Sequence, residues 1–85
     1  MKILYLPKFA KQYKKLPLQV KLQAEKKENI FRRNPFDKSL NTHKLKGELV
    51  GFWSFSIDYS YRIIFDFQDE KTVRFYYVGD HSIYK

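Results

Sequence analysis

The chain has 85 residues, no cysteine, 44% hydrophobic and 19% aromatic side chains, and a formal net charge of +8. That length reads as one domain over 1–85 that buries only about 60% of the surface its unfolded form exposes, so it needs a dense aromatic core in place of disulfide or cysteine-metal staples. Three glycines and three prolines exclude a collagen-like or low-complexity chain, and the aromatic content excludes disorder.

In chain order, residues 2–6 (KILYL) read as a short strand closed by Pro7, whose fixed φ suits a first helical turn. Phe9, Tyr13 and Leu16 follow at helical spacing among Lys8, Lys11, Lys14 and Lys15, which predicts a helix over about 8–15. Leu16-Pro17 breaks it. Val20, Ala24 and Phe31, with Leu22 and Ile30 beside them, outline a second helix that Asn34-Pro35 stops. The short break predicts an antiparallel helical hairpin.

Residues 34–51 hold two of the three glycines and no sustained period, and read as an ordered connector with a short strand or turn at 44–50. From Phe52 the period becomes two. Trp53, Phe55 and Ile57, then Tyr61, Ile63, Phe65 and Phe67, then Val73, Phe75 and Tyr77 alternate with Ser54, Ser56, Arg62, Ile64, Asp66, Arg74, Tyr76 and Val78. Turns at 58–60 and 68–71 complete a three-stranded antiparallel meander. The expected fold is α+β, β-α-α-β-β-β, with the hairpin covering the Trp53/Phe55/Ile57 face and the opposite face presenting Ser54, Ser56, Arg62, Arg74 and Tyr76. On that face Asp58 and Asp66 are the nearby carboxylates for cross-strand pairs with arginine.

The charge is uneven: residues 1–50 carry 13 basic and 4 acidic side chains, and residues 51–85 carry 4 and 5. A basic half facing a near-neutral half points to a polyanion, nucleic acid being the usual one, against a solubilising lysine coat or a surface for an acidic protein partner. No apolar run approaches the ~18 residues of a membrane span. The start MKILYLPKFAK carries too short an apolar stretch for a secretory signal, so the cytoplasm is the expected compartment.

Few residues could do chemistry. There is no glycine-rich phosphate loop, no GxSxG and no HExxH, and two histidines with scattered aspartates make no recognisable metal site, so neither metal nor cofactor is expected. The histidines, His43 and His81, flank the meander at edges of one sheet face, with Arg62 on the strand between. RNA is cut when a base takes the 2′-OH proton, an acid protonates the leaving 5′-oxygen and a cation steadies the charged phosphorane. His43, His81 and Arg62 are the right groups for those tasks. Asp80 could orient His81 or serve as a turn residue.

These segments resemble the RelE/ParE superfamily of toxin–antitoxin toxins, nearest to its RelE, YoeB and YafQ messenger-RNA interferases. The resemblance is carried by Phe9-Ala-Lys-Gln-Tyr-Lys-Lys-Leu-Pro17, Asn34-Pro-Phe36, Thr42-His-Lys-Leu-Lys-Gly47, Gly51-Phe-Trp-Ser-Phe-Ser-Ile57, Tyr61-Arg-Ile-Ile-Phe65 and Val78-Gly-Asp-His-Ser-Ile-Tyr84. It implies the same β-α-α-β-β-β fold, ribosome-dependent cleavage of mRNA in the aminoacyl site, and a cognate antitoxin in a hetero-oligomer, with no membrane. It implies His43 as base, Arg62 on the phosphate, and His81 and Tyr84 in a catalytic tail. Several relatives carry basic residues on the strand where this chain has Ser54 and Ser56, which shifts phosphate neutralisation toward Lys44, Lys46 and Arg74. Two alternatives share the fold: a ParE-like gyrase inhibitor, and an inactive RNA- or antitoxin-binding module.

Overall fold

The computed structural model describes residues 1–80. They form β1 (Lys2–Tyr5), α1 (Pro7–Lys14), α2 (Leu18–Arg33), β2 (His43–Lys44), β3 (Trp53–Ser56), β4 (Arg62–Phe67) and β5 (Thr72–Gly79). Single 3-10 turns at Lys38–Leu40 and Gly47–Leu49 punctuate the connector. Pro7 is the first residue of α1, where its missing N–H has no intrahelical partner to lose, and Pro17 sits at the N-cap of α2. Among the described residues no helix is long and apolar enough to cross a membrane.

The sheet order is β1-β5-β4-β3-β2, with β1 parallel to β5 and the other neighbours antiparallel. The expected meander is β3-β4-β5, and the connector adds a fifth strand, β2, one residue ahead of the expected 44–50 segment. Both helices pack on one face. Phe9, Leu16, Val20, Ala24 and Phe31 from the helical layer meet Phe55, Ile57, Ile63, Phe65, Val73, Phe75 and Val78. Phe31, fully buried, stacks on Phe55 at 4.8 Å and meets Phe65 and Phe75 edge-on at 4.9 and 5.5 Å. Trp53, expected in the buried layer, is only half-buried: it lies at the margin of the core, against Phe36 and Phe67.

Polar contacts tie the layers at their edges. The Tyr5 hydroxyl bonds Glu28 at 2.5 Å, and Arg32 donates to both, joining β1 to α2. Where β1 ends, the Val78 N–H of β5 finds an acceptor in Gln12 Oε1 of α1, 2.9 Å away. In the connector, Asp37 Oδ1 accepts from the Ser39 hydroxyl at 2.7 Å and its N–H at 2.9 Å, capping the turn that buries Leu40. Those bonds hold the Asp37 carboxyl below its ordinary value of 3.8. A folded-state value below the unfolded one gives stability that is present above the unfolded value and lost as pH falls through the folded one. Urea midpoints for the parent and Asp37→Asn should therefore differ near neutrality and converge below about pH 4. A gap that persists at low pH would assign the effect to something other than the carboxylate.

One irregularity reverses part of the sequence reading. Ile64 lies opposite Tyr77 and Phe65 opposite Phe75, so Tyr76 is the extra residue of a bulge. The side-chain phase slips by one across it. Val78 enters the core, and Tyr77, expected there by alternation, turns to the helix-free face beside Tyr76.

Candidate functional site

Directly paired residues in antiparallel strands put their side chains on the same face. His43 pairs with Ser54, Ser54 with Ile64, and Ile64 with Tyr77; the next rung runs from Ser56 through Arg62 to Gly79. His43, Ser54, Ser56 and Arg62 are thus brought together on the helix-free face, with Asp66, Arg74 and Tyr76 further along it. Lys44 pairs with Trp53 instead, and its ammonium sits over the indole at 5.5 Å. It therefore lies on the opposite face, away from the site to which the sequence reading joined it. Lys46 is exposed at the N-cap of the Gly47–Leu49 turn.

The open face is less open than its polar alternation implies. Ser54 and Ile64 are both at 0% exposure. The rings of Phe52, Tyr76 and Tyr77 stand on that face: Phe52 meets Tyr76 edge-on at 4.8 Å, and the two tyrosines lie 6.2 Å apart. The bulge adds to the cover, because it places two consecutive tyrosines where alternation would supply one. Ser54 is a packed floor residue, which corrects its expected place on an open face where it could meet RNA.

The two arginines of this face differ. Arg74 donates to both oxygens of Asp66, at 3.0 and 2.7 Å, and this bonded carboxylate raises the guanidinium pKa. Tyr76 donates to Asp66 at 3.2 Å; burial first, and the Asp66 charge second, push its phenol up. Arg74 is therefore already neutralised. Of the two aspartates weighed as partners, Asp58 is occupied elsewhere, accepting from the Ser60 and Tyr61 N–H groups of the turn at 2.9 and 2.8 Å. Arg62 has no carboxylate partner among the described residues; its guanidinium donates to the Ser56 hydroxyl directly across on β3. That bond leans the side chain toward β2, the strand of His43.

His43 is exposed, and its Nδ1 lies 3.0 Å from the Asn41 carbonyl. A carbonyl only accepts, so this bond assigns the proton to Nδ1 and leaves Nε2 with a free lone pair in the neutral ring. Asn41 aims the carbonyl from a left-handed backbone (φ 52), which Asn tolerates better than most residues. The sequence reading missed Asn41, although its short amide side chain before Thr-His is a turn signal. His81 and Tyr84 lie outside the described residues. The chain reaches them from Gly79, the residue opposite Arg62, through Asp80, the last described position.

Solved structures share this architecture. The YoeB/ParE toxin from Agrobacterium tumefaciens matches at 18% identity and a TM-score of 0.78 over 95% of this chain and 99% of that one. YafQ from E. coli matches at 18% identity and 0.80, over 98% and 96%. The toxin–antitoxin complex RelBE2 from Mycobacterium tuberculosis contains a chain matching at 21% identity and 0.77, over 94% and 96%. No protein-family model and no curated protein matches the sequence. The fold is that of the RelE/ParE toxins, as the sequence resemblance implied.

Proposed function

We propose that this chain, built on the RelE/ParE toxin fold, is the toxin of a type II toxin–antitoxin pair and cuts ribosome-bound mRNA without a metal. The observation that carries this reading is the pairing of two groups on one face: a histidine whose Nε2 is free to accept a proton, and an arginine with no carboxylate to neutralise it among the described residues.

His43 Nε2 takes the proton of the 2′-OH, and the freed oxygen attacks the adjacent phosphorus. Arg62, steered by Ser56, lies over the phosphate and balances its growing negative charge. The bond from phosphorus to the 5′-oxygen breaks, leaving a 2′,3′-cyclic phosphate on one fragment. His81 gives its proton to the departing 5′-oxygen, and Tyr84 stacks on a base or assists that transfer. With one imidazole needed neutral and the other protonated, the rate passes through a maximum in pH. Ser56 keeps a place in the site as the anchor of Arg62.

Lys44, on the opposite face from His43, and Lys46, at the Gly47–Leu49 turn, contact ribosomal RNA phosphates. Removing each should shallow the logarithmic salt dependence of ribosome binding by about one unit. An unchanged slope after both are removed would assign their charge to another partner. The +8 charge also suits an acidic antitoxin, and the structural neighbours include a toxin–antitoxin complex. Primer extension on mRNA after induction tests the whole reading. A defined cut in translated message supports it, and intact message with blocked DNA supercoiling would replace it with the gyrase reading.

A further inference from the structure

We infer that Tyr77 is an RNA-stacking residue: the bulge in β5 turns its ring out of the core to hold an unpaired nucleobase next to the phosphate at Arg62. The inference rests on the nuclease reading and names part of its substrate site.

Alternation along β5 would send Tyr77 inward after Val73 and Phe75. The extra residue Tyr76 reverses this, and Val78 fills the core position instead. The core does not need Tyr77, and the bulge leaves it half-exposed on the helix-free face. Bulges are used near sites to re-aim a side chain in this way.

The ring has a prepared setting. Beside it, 6.2 Å away, stands Tyr76, held by its bond to Asp66, by the Phe52 ring at 4.8 Å and by the Arg74 guanidinium 5.5 Å from its centroid. The Lys8 ammonium of α1 lies over the Tyr77 ring, 5.4 Å from its centroid, a place an incoming base would take from it. Arg62 pairs with Gly79, two residues beyond Tyr77, which makes Arg62 and Tyr77 diagonal neighbours, roughly 7–8 Å apart. Lys8 thus supplies a cation at the ring itself, and Arg62 a second on the neighbouring strand, its guanidinium turned toward Ser56. Asp66, a carboxylate of this face, is already bonded to Arg74 and Tyr76. A protein side chain would seek an apolar pocket here, but Ile64 and Ser54 are fully covered. What remains to be touched is ring surface and positive charge, the combination that binds single-stranded nucleic acid.

The test compares wild type, Tyr77→Phe and Tyr77→Leu in single-turnover cleavage of mRNA on programmed ribosomes, over a range of protein concentration. A second arm uses mRNA with 2-aminopurine beside the cut and a 2′-deoxy sugar that blocks chemistry, reading stacking as quenched fluorescence. Phenylalanine keeps the π face and should match wild type in both. Leucine keeps the bulk and should raise the half-saturating concentration roughly tenfold or more, with the quenching lost. Thermal melts check folding, and Tyr77→Gln replaces the leucine variant if that unfolds. If wild type cuts and the leucine variant matches it in both arms, this inference falls while the nuclease reading stands. A loss confined to antitoxin affinity would make Tyr77 a protein contact and overturn it as well. If wild type does not cut, both fall together.

Discussion

Arg62→Ala should slow single-turnover cleavage of ribosome-bound mRNA by about a hundredfold or more, the usual cost of removing a group aimed at transition-state charge. Its position on β4, its bond to Ser56 and its lack of a carboxylate among the described residues leave its charge available to a phosphate. Arg62→Lys should recover little, because an ammonium cannot reproduce a planar fork held by one hydroxyl and shared with two phosphate oxygens. Arg74→Ala makes the contrasting control. Its guanidinium is already spent on Asp66, so the change should register in thermal stability before it registers in chemistry. Equal losses of cleavage from both arginines would mean that the Asp66 pair opens when RNA binds.

Phe31→Ala should destabilise the fold by about 3–5 kcal/mol, read from urea unfolding. This ring is fully buried and touches Phe55, Phe65 and Phe75, so it fastens α2 to three adjacent strands. A domain of this size holds only about 5–15 kcal/mol in all, and the lower end suits 85 residues without a disulfide. Phe31→Leu, which keeps most of the volume, should cost far less. A loss below about 1 kcal/mol for the alanine variant would mean that the helical layer closes over the gap.

The particular elements show how far the sequence could be read. Strict period-two runs announced β3 and β4, and the proline breaks at 7, 17 and 35 bounded α1 and α2, because those signals are local. The parallel pairing of β1 with β5 is not local: KILY carries strand propensity, but nothing in it names a partner some seventy residues away. Strand β2 has two residues, too few for any period, and exists because β3 offers it an edge. Its short length still decided the site, since pairing at His43–Ser54 puts the imidazole on the face of Arg62 and sends Lys44 to the other. The bulge was legible in part. Val73, Phe75 and Val78 are spaced by two and then three, the mark of a one-residue slip, but a tyrosine at 77 passes equally well as core or surface. The choice between Asp58 and Asp66 as arginine partners needed the register, which sequence alone does not fix.

The central claim is that His43 and His81 cut RNA, and one measurement addresses it directly: single-turnover cleavage on programmed ribosomes, wild type against the His43→Ala, His81→Ala double variant, with product ends analysed. The account predicts that wild type gives one defined cut ending in a 2′,3′-cyclic phosphate and that the folded double variant gives none measurable. Full cleavage by the double variant would contradict it.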